Sequence, residues 1–201
     1  FLHGTGCCCE DWRAVLKEMP AGVRTVAVDF RGHGRSRVPS GDFSIQDLAG
    51  DVCALLEHLE LTRPVLVGHS LGGMVAMEAA ARSGGSAGLV LVEGWTLLKA
   101  AGSAFEGERF YGALPDDLVA KIKKKSDDTR HRFDAGVWSR FWETVRRFDG
   151  YAFLQDANIP ILEVYGDMGR NEETAANLRV PANPHIEWLW IAEAGHYLPL
   201  E

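Results

Sequence analysis

The chain carries a serine whose flanking glycines suit nucleophilic catalysis. Gly68, His69, Ser70, Leu71 and Gly72 form a G-x-S-x-G motif between an apolar stretch and an alanine-rich one. A serine at the tip of a sharp strand-to-helix turn adopts a strained backbone, and glycines two positions away on either side let the chain pass close by. The helix start also presents free N–H groups where negative charge develops during acyl transfer. The motif therefore predicts Ser70 as a nucleophile with a backbone oxyanion donor beside it.

A serine hydroxyl is a weak nucleophile unless a base takes its proton and a third group orients that base. Among the histidines, His196 follows the last apolar stretch and comes directly after Gly195, late in the chain. That position agrees with the chain order serine, acid, histidine that accompanies a nucleophile of this kind. We predict His196 as the base.

The composition restricts the class of protein. The 201 residues fit one domain with a sizeable core, and 46% of them are hydrophobic, as in ordinary soluble proteins. No apolar run is long enough to span a membrane, and a net charge of -7 argues against nucleic acid as a partner. Cys7, Cys8, Cys9 and Cys53 have neither a disulfide framework nor metal-ligand spacing, which favours a reducing compartment and, by default, the cytoplasm. The expected partner is a small molecule, with no metal or organic cofactor required, and the oligomeric state is left open.

Apolar, weakly alternating stretches are separated by helical patterns along the chain. Such strands are buried on both faces, so an α/β fold with a doubly wound, mostly parallel sheet is expected. The predicted strands are Phe1–His3, Val23–Phe30, Pro64–His69, Gly88–Glu93, Pro160–Gly166 and Ile186–Ala192, and the predicted helices are Glu10–Met19, Ser44–Leu59 with Ser44 as N-cap, Leu71–Arg82 and Glu172–Leu178.

The stretch between Glu93 and Pro160 breaks this alternation, because it has helical patterning and no convincing strand. We predict a helical lid insertion at 95–155, between a first part of the core at 1–94 and a second at 156–201. Within the insertion, Val137, Phe141, Val145 and Phe148 share one helical face, with Trp138 and Trp142 beside it. An aromatic face packed over a catalytic mouth suits an apolar part of a substrate.

Together with the serine motif and Ala194-Gly195-His196, two further segments make the chain resemble the α/β-hydrolase fold family over nearly its whole length. They are His3-Gly4-Thr5-Gly6 and Asp29-Phe30-Arg31-Gly32-His33-Gly34-Arg35-Ser36. The resemblance implies that the amides of Leu71 and Thr5 are the two oxyanion donors. It also implies further strands before Phe1 and a helix after the His196 loop, so the sequence looks truncated at both ends. The other residues expected at the oxyanion and substrate sites are Gly4, His69, Trp95, Trp138 and Trp142.

The acid that orients His196 has two candidates. Many members of the family carry it as Gly-x-x-Asp after a late strand, but here Gly169 occupies that position and Asp167 comes two residues earlier. Other members carry it after the preceding strand, where this chain has Glu93. A carboxylate at the end of a buried apolar strand needs a partner. We therefore favour Glu93 and keep Asp167 as the alternative.

These residues predict a serine hydrolase that cleaves a carboxylic ester, or a related acyl bond, of a small and partly apolar substrate through an acyl-enzyme. Ser70 rather than aspartate at the motif argues against the dehalogenase and epoxide hydrolase branches of the family. The alternatives are a non-catalytic ligand-binding member of the same fold and haloperoxidase-like, C–C hydrolase or lyase activity on the same triad.

Overall fold

A parallel sheet forms the centre of the molecule. The computed structural model describes residues 1–105, 108–168, 170 and 176–201. Its sheet has four strands in the order β1-β2-β3-β4, every neighbouring pair parallel. The strands are β1 (Val65–His69), β2 (Gly88–Val92), β3 (Ile161–Gly166) and β4 (Ile186–Ile191). They confirm four of the predicted strands to within two residues at each end.

The two other predicted strands were wrong in extent. Phe1–His3 and Val23–Phe30 form only isolated parallel bridges, in which Leu2 pairs with Val28 on one side and with Gly68 of β1 on the other. The Leu2 amide donates to the Val67 carbonyl at 2.8 Å, and the Val28 amide donates to Phe1 at 3.2 Å. The backbone thus runs where the prediction placed it, beside β1, but pairs over too short a length to form a ladder.

Helices pack against the sheet, and α2 begins at the N-cap that the sequence predicts. Helix α1 (Arg13–Lys17) follows a 3₁₀ turn at Cys9–Trp12, and helix α2 (Ile45–His58) packs against helix α3 (Leu71–Ser83), which follows β1. Ser44 caps α2 as predicted, because its side chain accepts from the Asp47 amide. The buried face of α3 is made almost wholly of small and apolar side chains, so the helix lies close to the sheet and its N-terminus is fixed in position.

Helices also fill the stretch between β2 and β3. A 3₁₀ segment at Leu98–Phe105 precedes α4 (Glu108–Tyr111), α5 (Asp116–His131), α6 (Ala135–Arg147) and α7 (Tyr151–Asp156). On the predicted apolar face of α6, Phe141 and Val145 are buried, the following Phe148 is buried as well, and Val137 packs partly buried against the same core. The predicted helix Glu172–Leu178 falls mostly outside the described residues, which resume at 176. No helix within the described ranges is long and apolar enough to cross a membrane.

Candidate active site

Ser70 occupies the turn from β1 into α3 with a backbone that few residues adopt. Its φ of 53° and ψ of −119° lie outside the favourable regions for an L-residue. A Cβ on Gly68 would lie 2.2 Å from the Gly72 carbonyl oxygen, and a Cβ on Gly72 would lie 2.2 Å from the Leu2 carbonyl oxygen. Only glycine fits at either position, which is the close passage that the motif predicts. The turn holds the serine hydroxyl at the edge of a cavity.

His196 and Glu93 meet beside that cavity. The Nδ1 atom of His196 lies 3.3 Å from Oε2 of Glu93, and both side chains are buried. Burial by itself would raise the pKa of Glu93, but hydrogen bonds from His196 and Arg170, together with their charges, lower it to about 2. An ionised carboxylate only accepts hydrogen bonds, so Nδ1 carries the proton and Nε2 keeps the lone pair.

Aromatic rings hold the imidazole from two sides. Phe110 stacks on His196 with ring centroids 4.9 Å apart and an interplanar angle of 14°, and Trp95 contacts it edge-on at 5.3 Å. The His196 amide also donates to the Phe110 carbonyl at 3.1 Å. Sequence reasoning did not find Phe110, because nothing in its spacing links it to His196.

Through its carboxylate, Asp167 contacts the loop that follows β4. Its Oδ1 accepts from the Glu193 amide at 2.7 Å, and its own amide donates to the Ile191 carbonyl at 3.0 Å. These bonds tie the ends of β3 and β4 together. Of the two carboxylates considered from the sequence, the structure brings Glu93 to His196, whereas Gly169, at the position expected from the motif, lies outside the described residues.

Glu93 has a denser set of donors than the sequence suggests. Besides His196, its carboxylate accepts from the Gly166 amide at 2.9 Å, from Trp95 Nε1 at 3.2 Å and from both terminal nitrogens of Arg170. Glu93 also adopts a positive φ of 51°, and such strained positions persist where the surrounding contacts over-determine them.

Two backbone amides are available beside Ser70. Among the described residues, neither the Thr5 nor the Leu71 amide donates to a backbone or side-chain acceptor, and both residues line the cavity. The Thr5 loop comes close to the serine, since a Cβ on Gly4 would lie 3.2 Å from the Ser70 Cβ. His3 fixes this loop through Nδ1, which donates to the Gly4 carbonyl at 2.7 Å while Nε2 accepts from the Phe30 amide at 3.1 Å.

His69, predicted at the oxyanion or substrate site, lines the cavity and also contacts the loop that carries His196. Its Nε2 donates to the His196 carbonyl at 2.7 Å. Burial lowers the pKa of His69 to about 3, so the ring is neutral at physiological pH. His69 thereby links the turn that holds Ser70 to the loop that holds His196.

The cavity has a volume of about 480 Å³ and both apolar and polar lining residues. The apolar ones include the predicted Trp95, Trp138 and Trp142. Polar ones come from α5, whose Lys123, Ser126, Asp127 and Arg130 follow helical spacing along one face. Within the described ranges, no cluster of three or more His, Cys, Asp and Glu side chains could hold a metal ion.

Comparisons with known proteins agree with this fold. A model of the Alpha/beta hydrolase family matches residues 1–201, so the chain belongs to that family and the predicted fold class is confirmed. Among solved structures, it is similar to a hydrolase from Oleispira antarctica, at 19% identity and a TM-score of 0.78, over 99% of this chain and 84% of that one. It is also similar to a thermophilic esterase from Thermogutta terrifontis, at 24% identity and a TM-score of 0.69, over 100% of this chain and 82% of that one.

A curated relative is more alike in sequence over a shorter stretch. The non-heme chloroperoxidase of Streptomyces lividans is 43% identical over 74 residues, which are 36% of this chain and 27% of that protein. The chain spans about a quarter of the length of such curated relatives. The family match places the chain among the alpha/beta hydrolases, and the solved structures share its fold.

Proposed function

We propose that the chain is a serine hydrolase that cleaves a carboxylic ester, or a related acyl bond, of a small and partly apolar substrate through an acyl-enzyme. The observation that carries the proposal is that Ser70, His196, Thr5 and Leu71 line one cavity, and that the Thr5 and Leu71 amides have no acceptor among the described residues. The contact between His196 Nδ1 and Glu93 supports the same assignment, because it leaves Nε2 as the basic nitrogen.

In this mechanism the Ser70 hydroxyl attacks the carbonyl carbon while His196 Nε2 takes its proton. The carbonyl oxygen gains negative charge, which the Thr5 and Leu71 amides and the N-terminus of α3 stabilise. The imidazolium then protonates the departing alkoxide, the ester C–O bond breaks and Ser70 retains the acyl group. A water molecule, activated by the same imidazole, hydrolyses the acyl-enzyme and restores the serine. An ester suits this site best because an alkoxide needs less help from a general acid than an amine does.

The walls of the cavity support a partly apolar substrate. Trp138, Trp142 and Val145 offer an apolar surface to an acyl or alcohol chain, and the face of α5 adds polar groups to the same cavity. Trp142→Ala should therefore lower kcat/KM for long acyl chains relative to acetate, because it removes apolar surface that the chain contacts. Trp188→Ala, on an exposed side chain of β4, should leave the ratio unchanged. A ratio that moves equally in both variants would contradict this placement of the substrate.

A panel of p-nitrophenyl esters of increasing acyl length tests the proposal. We expect a burst of p-nitrophenol at the concentration of protein, followed by turnover, and loss of both in Ser70→Ala. Ser139→Ala, an exposed serine of α6, is the matched control and should retain full activity. Folded wild-type protein without a burst or turnover on the whole panel would contradict the proposal and favour a ligand-binding member of the fold.

The similarity to a chloroperoxidase favours a second candidate on the same triad. Hydrogen peroxide could replace water in the deacylation step, so that the acyl-enzyme yields a peroxy acid and free Ser70. Halide oxidation that requires both a carboxylic acid and hydrogen peroxide, and that is lost in Ser70→Ala, distinguishes this activity from simple hydrolysis.

A further inference from the structure

The carboxylate of Glu93 has a charged partner that the hydrolytic mechanism does not use. Arg170 contacts it with both terminal nitrogens, Nη1 at 2.5 Å from Oε1 and Nη2 at 2.9 Å from Oε2. The Arg170 side chain is 11% exposed and that of Glu93 is fully buried. Two parallel hydrogen bonds between a guanidinium and a carboxylate fix the plane of the carboxylate as well as its position.

Arg170 is itself held in place by groups other than Glu93. Its Nη1 also donates to the Gly166 carbonyl at 3.1 Å, and its Cζ lies 5.6 Å from the centroid of the Tyr165 ring. Tyr165 and Gly166 end β3, so the guanidinium is seated on the strand next to the one that carries Glu93. These contacts with β3 hold the guanidinium in place, so the ion pair is a buried and structurally supported one, unlike a contact between two mobile surface charges.

The contact determines which oxygen of Glu93 faces the base. Oε1 accepts from the Gly166 amide and from Arg170 Nη1, while Oε2 accepts from Arg170 Nη2, Trp95 and His196. A glutamate has one more rotatable bond than an aspartate, so its carboxylate needs such a restraint to keep one orientation.

We propose that Arg170 is a positioning residue for the base: it clamps the Glu93 carboxylate so that Oε2 stays at Nδ1 of His196, and its positive charge offsets part of the carboxylate's field at the imidazole. The proposal rests on the proposed function for its catalytic meaning. Arg170 touches no reacting atom in this scheme and acts through Glu93.

The surroundings explain why a positive charge is needed there. Glu163 is buried on the face of β3 that also carries Tyr165. Burial and the charge of Glu93 raise the pKa of both side chains. His69, Glu201 and Tyr197 are further titratable groups near the Glu93 and His196 pair. An ionised Glu93 without Arg170 would be a buried carboxylate that keeps only the Gly166 amide, Trp95 and His196 as donors, and a buried charge that loses its charged partner is strongly unfavourable.

Replacement of Arg170 therefore has two separable effects. Arg170→Gln removes the paired hydrogen bonds of the guanidinium, so we expect kcat to fall about 10- to 50-fold. The same change removes the positive charge, so the imidazolium is better stabilised and the acidic limb of the kcat/KM profile should move up by about half to one pH unit. Arg170→Lys keeps the charge, so the acidic limb should stay in place while kcat falls about 3- to 10-fold. Arg179→Gln, whose guanidinium lies over Tyr151, is the matched control and should change neither.

A double-mutant cycle separates positioning from a general loss of stability. If Arg170 acts through Glu93, the double variant Glu93→Gln/Arg170→Gln should be no more than about threefold slower than Glu93→Gln alone. Losses that multiply, or an acidic limb that does not move in a folded Arg170→Gln protein, would overturn the proposal. Circular dichroism and thermal melting establish that each variant is folded, and Arg170→Lys tests the clamp where Arg170→Gln does not fold.

A magnetic resonance measurement tests the clamp without any substrate. The proton on Nδ1 of His196 should give a downfield ¹H signal that is absent in Glu93→Gln and moves upfield in Arg170→Lys. An unchanged signal in Arg170→Lys would refute the clamp even if Ser70 is catalytic. Conversely, a protein with the shifted signal but no esterase activity would refute the proposed function and leave the clamp intact.

Discussion

Exchange of each of the two candidate acids for its amide is the perturbation that discriminates best between them. Glu93→Gln keeps the size of the side chain but removes the charge that lies 3.3 Å from His196 Nδ1. Asp167→Asn makes the same chemical change in the neighbouring loop, where Oδ1 accepts from the Glu193 amide. The two variants are therefore matched in chemistry and differ in what the carboxylate contacts.

The magnitude follows from Coulomb's law. Unit charges about 3.3 Å apart attract by about 5 kcal/mol at an effective dielectric constant of about 20. Arg170 offsets part of this attraction, so we expect Glu93→Gln to raise the barrier by about 3 to 4 kcal/mol, which is about a 100- to 1000-fold loss in kcat/KM. The Asp167→Asn change leaves the pair of Glu93 and His196 intact, and we expect a loss of less than about threefold.

The assay is the initial rate of hydrolysis of the best ester from the panel at saturating and limiting concentrations, with thermal melting of each variant as the check on folding. Most of the Glu93→Gln effect should appear in kcat, because the imidazolium exists only after proton transfer. A folded Glu93→Gln protein with activity within threefold of wild type, together with a large loss in Asp167→Asn, would refute our assignment of the acid.

Two further predictions concern stability. Burial raises the pKa of Glu163 to about 8. Between about pH 5 and pH 8 the folded protein therefore holds a proton that the unfolded chain releases. This group should therefore make the free energy of unfolding fall with rising pH by up to about 1.4 kcal/mol per pH unit. Urea unfolding at pH 5, 6.5 and 8 should show a shallower fall of that free energy with pH for Glu163→Gln than for wild type. An identical pH dependence in the two proteins would contradict the burial argument. Gly72→Ala should destabilise the protein by more than about 2 kcal/mol, because its Cβ would lie 2.2 Å from the Leu2 carbonyl oxygen. Gly50→Ala in α2 is the control: the new Cβ meets open space, so the change should be neutral or stabilising. Equal melting temperatures for the two variants would contradict the close passage of the backbone at the serine turn.

Local signals in the sequence predicted the parts of the site that depend on neighbouring residues. The glycines around Ser70 are required by atoms within a few positions or on the adjacent backbone, so the motif carries the geometry with it. Glu93 was found because a charged residue directly after a buried apolar strand needs a partner. The strands β1 to β4 were found because most positions in each are apolar, even though β3 contains Glu163 and β4 contains Glu187.

The parts that the sequence did not reveal depend on contacts between distant segments. Arg170 reaches Glu93 across 77 residues of chain, and nothing in the spacing of either residue indicates the contact. Phe110 reaches His196 in the same way, from a helix between β2 and β3. The pattern around Val23–Phe30 predicted a full strand, but only Val28 pairs with Leu2, because periodicity reports burial and does not fix the length of a ladder.

Covalent labelling shows whether Ser70 is the nucleophile. A fluorophosphonate reacts with an activated serine and stops at a stable adduct, so intact-mass analysis followed by peptide mapping identifies the nucleophile. We predict one adduct per chain on the peptide that contains Ser70, no adduct in Ser70→Ala and labelling at least about 100-fold slower in His196→Ala. A folded wild-type protein that is not labelled, or that is labelled at another residue, would contradict the account.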